Sequence, residues 1–200
     1  MPNCPADAME DCLTDLVTLE GKGAVGALRR LVGSVDDQRL RGFGLVRLLG
    51  LGDRSCLAEA VKFLRPKAAT TDPWIDHARR MLSCKLALVK DGKFVEAHYG
   101  PLLRHPSDFV RRDAFYAVRH AEMRSLIPDM IRGLKDSDED VRYNCVMGLP
   151  RVQKKNHTQA PAKSLFLRDE GKYIRYWQTW WKDTGRSSFM KEPPRVPTQP

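Results

Sequence analysis

The stretch from His105 to Leu149, HPSDFVRRDAFYAVRHAEMRSLIPDMIRGLKDSDEDVRYNCVMGL, contains nearly the same pattern twice. Val110-Arg111 recurs 31 residues later as Val141-Arg142. Behind each pair come a small residue, a large apolar one and a further apolar one at matched offsets: Ala114, Phe115 and Val118, then Cys145, Val146 and Leu149. A period of about 20 to 50 residues is typical of stacked helical units, because no single unit buries its apolar face alone.

The pattern resembles HEAT repeats of the short bacterial kind. In that family an acidic or polar turn precedes Val-Arg at the start of one helix, and the second helix often contains proline, as in SLIPDMIRGL at residues 125–134. The resemblance covers about residues 36–182. It implies an all-α fold: a right-handed α-solenoid of about five HEAT-like helix pairs, closed by a Trp-rich C-terminal capping helix.

The rest of the chain is divided by the same period and by the signals that start and stop helices. Asp72 followed by Pro73 is a preferred helix start, with an N-cap and a proline in the first turn. We expect one domain over residues 1–184, with units at about 9–33, 36–65, 73–104, 107–135 and 138–184. The segment 150–161 reads as a loop, and the Pro-rich tail 185–200 is expected to be flexible.

Four glycines interrupt the second unit, at positions 42, 44, 50 and 52. Glycine weakens a helix by about 1 kcal/mol relative to alanine. Two interpretations stay open: the helices pack very closely there, or this unit is the least stable.

Composition restricts the class of protein. The chain is 42% hydrophobic and 30% charged, as in ordinary globular proteins, and it has no apolar run of the roughly 18 residues needed to span a membrane. We therefore expect a cytoplasmic protein without membrane contact. Its cysteines, an odd number without paired spacing, predict neither disulfides nor zinc; they are at positions 4, 12, 56, 84 and 145.

Charge is unevenly distributed. Residues 1–20 contain five acids and no Lys or Arg, whereas residues 151–200 contain eleven basic and four acidic residues, in a chain of net charge +9. The basic end favours an acidic partner: nucleic acid, an acidic protein surface, or the N-terminal end of another copy.

The arginines of the repeated pattern, with nearby aspartates, are expected to join neighbouring units. Arginine can hold a carboxylate through two parallel hydrogen bonds, so one Arg and one Asp per unit can form a structural ladder. Its predicted members are Arg41, Arg111, Arg142, Asp108 and Asp140.

An aromatic cluster lies near the C-terminus among Lys and Arg residues. We expect Tyr173, Trp177, Trp180 and Trp181 to cap the open end of the apolar core, with Tyr176 or one of the adjacent tryptophans partly exposed. The alternative is a ligand surface, because such aromatic and basic mixtures also stack bases and neutralise phosphates.

Second helices are the predicted partner-binding elements, since in HEAT-like arrays they line the concave face. The candidate partner-binding residues are Lys62, Arg65, Lys93, Glu96, His98, Arg132 and Lys135. Catalysis finds little support, because there is no Gly-rich phosphate loop, no nucleophile elbow, and no histidine with a partner at i+4. We expect no enzymatic activity, cofactor, metal or small-molecule substrate.

Two functional interpretations follow. The first is a non-catalytic scaffold, such as an adaptor or an inhibitor or immunity-type protein, whose concave face binds another protein with an acidic surface. The second is a nucleic-acid-binding protein similar to the HEAT-like DNA-alkylation-repair glycosylases. Those enzymes pair a Trp with an acid, and the corresponding pairing here is Trp74 with Asp72 or Asp76.

Overall fold

The computed structural model describes residues 6–65, 72–153 and 160–191, and within these ranges it contains helices and no strand. The predicted all-α class is therefore confirmed. None of the described helices has both the length and the hydropathy that a membrane span requires. The helices are α1 Ala6–Glu20, α2 Ala24–Ser34, α3 Gln38–Gly50, α4 Leu57–Leu64, α5 Pro73–Ala87, α6 Gly92–His98, α7 Asp108–Ala121, α8 Ile127–Gly133, α9 Glu139–Val152, α10 Lys163–Arg168, α11 Glu170–Trp180 and α12 Arg186–Lys191.

Aspartate side chains start several of these helices. Asp37 accepts the backbone N–H of Arg39 at the start of α3, at 2.8 Å, and the predicted cap Asp72 accepts that of Trp74 at the start of α5, also at 2.8 Å. Asp138 does the same for Val141 at the start of α9. Each bond satisfies a donor that the first helical turn leaves without a partner, which fixes where the helix begins.

Contacts between Cα atoms divide the chain into two compact units. These are not the predicted repeats, and from here on the first unit and the second unit mean these two parts of the chain. The first consists of residues 1–89 with 105–110, and the second of residues 90–104 with 111–200. In the first unit, α3 packs against α1, α2 and α5, and its buried side chains include Phe43, Leu45 and Leu48. The core of this unit is therefore built around α3.

Glycines allow the close packing of α3. A Cβ atom on Gly42 would lie 2.8 Å from the Phe63 ring and 2.9 Å from Cβ of Ala78, and one on Gly44 would lie 2.7 Å from Val32. Such distances are shorter than real Cβ contacts. Of the two interpretations of the glycine run, the close approach of neighbouring helices is the one that holds at Gly42 and Gly44.

In the second unit, α7, α8 and α9 bury the apolar residues of the repeated pattern. Ala114, Phe115 and Val118 of α7 are buried, as are the matching residues of α9 at positions 145, 146 and 149. A Cβ on Gly133, the last residue of α8, would meet both Phe115 and Cys145. The repeated small-large-apolar pattern is thus a core pattern, as its spacing predicts.

Two sequence predictions differ from the structure. Helix α9 continues through the buried Pro150 to Val152, so the loop predicted from residue 150 begins later; residues 154–159 lie outside the described ranges. Proline removes one helical N–H donor, yet the helix ends within a turn, so only a short stretch bears the defect. The predicted flexible tail is helical over Arg186–Lys191, and residues 192–200 lie outside the described ranges.

The arrangement of the helix pairs as a single right-handed solenoid stays a prediction. So does the single domain expected over residues 1–184.

Candidate partner-binding site

Arginines of the repeated Val-Arg pattern form internal ion pairs. Arg111 donates from Nε and Nη2 to the two carboxylate oxygens of Asp136, at 2.8 and 2.9 Å. Burial alone opposes ionisation of Asp136, but the hydrogen bonds and charge of Arg111, with the backbone N–H of Asp138, lower its pKa below the ordinary value. Arg111 is therefore held by the turn that follows α8.

Arg142, the second copy of this position, also bridges segments. Its guanidinium bonds the carboxylate of Glu170 at the start of α11, and its Nη1 donates to the backbone carbonyls of Asp136 and Ser137, at 2.7 and 2.8 Å. It therefore joins α9 to both the preceding turn and the following helix. Arg41, in the first unit, donates to the carbonyl of Val32 at 3.1 Å and lies 3.6 Å from Glu59.

The acids that hold two of these arginines are not the predicted ones. Asp136 and Glu170 hold Arg111 and Arg142, and the sequence pattern did not single out either. Asp140 instead pairs with Lys163 and lies 3.3 Å from Arg112, while the carboxylate of Asp108 accepts the N–H of Phe109. The repeat predicts the positions of the arginines but not their acceptors, because Asp136 lies in the turn after α8 and Glu170 lies at the start of α11.

The aromatic cluster packs around Trp177. This side chain is 1% exposed, and the Trp180 ring meets it edge-on at a centroid distance of 5.5 Å. Tyr173, Trp180 and Trp181 are half-buried. Tyr176 is 39% exposed, which confirms that at least one ring of this group reaches solvent.

The predicted partner-binding residues fall into separate groups. Lys62 and Arg65 are exposed at the end of α4 in the first unit. Lys93 is exposed on α6 in the second unit, where Glu96 and His98 are half-buried and the His98 ring lies 4.5 Å from the Phe94 ring. Lys62 and Arg65 therefore belong to the first unit, and the other three residues belong to the second.

Arg132 and Lys135, by contrast, line a common cavity in the second unit. The cavity has a volume of about 340 Å³. Both side chains are exposed, and buried Leu103 and Phe115 provide apolar surface beside them. Its lining is completed by Arg104, Arg111, Gly133 and Asp136. We call this the α8 cavity, because α8 and the residues next to it supply most of the charged lining.

Positive charge exceeds negative charge at the α8 cavity. Arg132 contacts Asp129 at 2.6 Å, and Arg104 approaches the same carboxylate oxygen at 3.6 Å. Arg104 is the exposed cation of this lining that the sequence interpretation did not include, since it lies in a short 3-10 helix, Leu102–Arg104, outside α8. Lys135 has no ion pair with any residue of the described ranges.

A second cavity, of about 290 Å³, lies in the first unit between α3 and α5. Its acid, Asp53, is held by Arg29 through bonds of 2.8 and 2.9 Å, and Arg29 lowers the pKa of this carboxyl far below its usual range. Leu88 is exposed at its rim, and Arg54 and Lys85 contribute two cations. None of the predicted partner-binding residues lines this cavity.

The acids proposed to act beside Trp74 are both engaged. Asp72 accepts the N–H of Trp74 and of Ile75 as a helix cap, and Asp76 bonds Arg80 at 3.1 Å. Across residues 6–65, 72–153 and 160–191, no three His, Cys, Asp or Glu side chains come together as a metal site would require. His120 lies beside Arg151, and burial together with this cation and Arg119 lowers its pKa.

No protein-family model and no curated protein matches this sequence.

Proposed function

We propose that the protein is a non-catalytic, HEAT-like helical scaffold that binds another protein through its second helices. The proposal takes the helix pairs as stacked units, about five in number, and the partner as a protein with an acidic surface. An adaptor or an inhibitor of the immunity type would work in this way. It includes no cofactor, metal or small-molecule substrate.

The observation that carries the proposal is a division of the basic residues into two classes. Arg111 and Arg142, at the repeated Val-Arg positions, are 13% and 19% exposed and bond to turns and to a following helix. Lys62, Lys93 and Lys135, which lie on or just after second helices, are exposed. The first class stabilises the fold, so the second class is left to bind a partner.

An acidic partner suits this surface for an electrostatic reason. Opposite charges at the rim of an interface accelerate association and select the partner, although each exposed pair adds only about 0 to 1 kcal/mol. Affinity then has to come from apolar contacts at the centre of the interface. The α8 cavity offers both the rim cations and an apolar lining, because its cations lie beside Leu103 and Phe115.

The test compares tagged wild-type protein with Arg132→Glu/Lys135→Glu as baits in the native host. We expect a specific protein to co-purify with the wild type and to be lost from the variant, and the purified pair to bind in calorimetry. Both residues are exposed, so the melting temperature should change by no more than about 2 to 4 °C, the shift that 1 kcal/mol produces in a chain of this size.

A variant with the same charge change elsewhere, Lys172→Glu/Lys182→Glu, controls for general electrostatic effects. Equal loss of the partner with both variants would contradict a role for α8. Loss of folding in the α8 variant would show that its two cations are structural.

The second candidate function is nucleic-acid binding, which one observation favours. Lys172, Arg175, Lys182 and Arg186 are exposed along α11, the π-helical turn Trp181–Gly185 and α12, and Tyr176 is exposed among them. Asp183 is the one exposed acid between Lys172 and Arg186. Basic side chains with an exposed ring suit a single strand, whose phosphates bind cations and whose bases stack.

Electrophoretic mobility shift over a salt series tests this alternative. Phosphate binding weakens steeply with salt, with a slope set by the number of phosphates neutralised. Retardation of a single-stranded oligonucleotide at low salt that disappears in Lys172→Gln/Arg175→Gln/Lys182→Gln would support it. Absence of retardation at low salt excludes it.

A further inference from the structure

The α8 cavity combines two features that together define a ligand class: a cationic rim and an apolar lining. Its volume of about 340 Å³ lies at the lower end of the range for ligand pockets, about 300 to 1,000 Å³. Leu103 and Phe115, 2% and 1% exposed, are held in place by the core behind them. The apolar wall is therefore preformed.

Charges around the cavity do not cancel. Arg111 and Asp136 are paired with each other through two hydrogen bonds, so neither contributes net charge. The remaining cations are Arg104, Arg132 and Lys135, and they face one anion, Asp129. The rim therefore carries a surplus of two positive charges.

The rim also has the geometry to bind a carboxylate. Two guanidinium groups, on Arg104 and Arg132, already approach a single carboxylate oxygen of Asp129, at 3.6 and 2.6 Å. Each guanidinium has further N–H donors directed away from that oxygen, because its five donors are arranged in a planar fork. Arg104 has 67% of its side chain exposed and Arg132 43%, so these donors reach solvent.

We propose that the α8 cavity binds an acidic peptide segment of the partner in which one apolar residue is flanked by acids, in the order acid, apolar, acid. The apolar side chain packs on the cavity lining at Leu103 and Phe115, and the two flanking carboxylates bind Arg104, Arg132 and Lys135. Two carboxylates match the surplus of two charges. This inference rests on the proposed function and names the partner chemistry that it requires.

A peptide explains both halves of the cavity better than a nucleic acid does. A phosphate backbone would bind the rim cations but would not use the apolar lining at Leu103 and Phe115, and the Phe115 ring is too buried for a base to stack on it. An aliphatic or aromatic side chain next to carboxylates uses the apolar wall and the rim together.

The test titrates the full-length protein, labelled with ¹⁵N, with three blocked peptides in amide NMR spectra. The probe is acetyl-Gly-Glu-Leu-Glu-Gly-amide; the matched peptides replace both Glu by Gln, or Leu by Ala. We expect the probe to shift the amides of Gly133, Lys135 and Asp136 saturably, and each matched peptide to bind at least about fivefold more weakly, since each lacks one half of the complementarity.

Variants locate the binding. Arg132→Gln/Lys135→Gln should weaken the probe about tenfold, because two of the three rim cations are lost. Lys22→Gln/Arg30→Gln removes the same charge from exposed positions of the first unit and should leave probe binding unchanged. Resonances away from the cavity report that each variant is folded.

Three outcomes would overturn the inference: equal binding of the Leu and Ala peptides, unchanged binding to the Arg132→Gln/Lys135→Gln variant, or larger shifts at Gly133 and Lys135 with a dT10 oligonucleotide. If any of these outcomes occurs while the Arg132→Glu/Lys135→Glu variant still fails to capture the partner, the peptide inference fails and the proposed function stands. If the probe binds as expected but the Arg132→Glu/Lys135→Glu variant still captures the partner, the cavity is a peptide-binding site and the proposed function fails.

Discussion

Arg111 and Asp136 form a nearly buried bidentate ion pair, with N–O distances of 2.8 and 2.9 Å and side chains only 13% and 12% exposed. The pair connects α7 to the turn between α8 and α9. The pair stabilises the second unit, and it lies beside the exposed cations Arg104, Arg132 and Lys135 in the lining of the α8 cavity.

A double-mutant cycle measures this pair. Removing one partner of a buried pair leaves an uncompensated charge and costs about 3 to 5 kcal/mol, so Arg111→Ala and Asp136→Ala should each be strongly destabilising. The double variant should recover part of that loss, with a coupling energy of about 1 to 3 kcal/mol from urea unfolding. Additive losses would show that the two side chains act independently. Arg132→Ala, an exposed residue, is the control and should cost at most about 1 kcal/mol.

Acid should weaken the fold through the same carboxyl. The pKa of Asp136 is lowered in the folded state, so its contribution is complete above the unfolded value of about 3.9 and is lost as pH falls through the folded value. Wild-type stability should therefore decline from pH 5 to pH 2.5. The decline should be shallower in Asp136→Asn, which has no carboxyl to protonate there, and an identical slope would contradict the assignment.

Two glycines of α3 should respond oppositely to alanine. At Gly42 the added Cβ meets Phe63 and Ala78 at under 3 Å, so overpacking of about 1 to 3 kcal/mol should exceed the gain of about 1 kcal/mol in helix propensity. At Gly50 nothing lies within 4 Å, and Gly50→Ala should be neutral or stabilising by up to about 1 kcal/mol. The melting temperatures of the two variants, compared with that of the wild type, test this prediction. A stabilised Gly42→Ala variant would mean that α3, α4 and α5 separate easily.

Trp177→Ala should remove a large buried side chain at a cost of about 3 to 5 kcal/mol. Its neighbour Tyr176 is 39% exposed, so Tyr176→Ala should cost clearly less. Chemical denaturation of the two variants measures the difference. Equal and small losses would show that α11 is not packed on the rest of the second unit.

Thiol reactivity should separate the cysteines by burial. Cys12 and Cys84 are exposed, whereas burial raises the pKa of Cys56 to about 11 and that of Cys145 well above its usual value. A thiolate is the reactive form, so at pH 8 two thiols should react with a disulfide reagent, and four after unfolding, in a Cys4→Ser background. Cys4 is replaced because it lies outside the described residues. A third fast thiol in the folded protein would contradict the buried environment of Cys56 or Cys145.

Local signals explain which parts of the fold the sequence predicted well. The small-large-apolar pattern behind Val110 and Val141 is buried as expected, and Asp72 caps α5 through its own side chain. Both follow from spacing along the chain. The loop predicted from Pro150 was wrong. A proline that would end an isolated helix is tolerated here because buried neighbours hold the last turn of α9.

The candidate site was predicted only in part. Arg132 and Lys135 follow from their place at the end of a second helix, but Arg104 lies 28 residues before Arg132, and nothing local in the sequence links the two. Phe115 is a repeat residue whose ring serves both the core and the cavity wall.

The sequence by itself determined the helices, their caps and the apolar faces, because these depend on residues within one or two turns of each other. Only the tertiary structure decided which acids hold the arginines, and which cations remain at the α8 cavity. Those choices depend on distances between segments far apart in the chain: Asp136 reaches Arg111 across 25 residues, and Glu170 reaches Arg142 across 28. Because Arg111 and Asp136 neutralise each other, the positive charge on which the proposed peptide site depends comes from Arg104, Arg132 and Lys135.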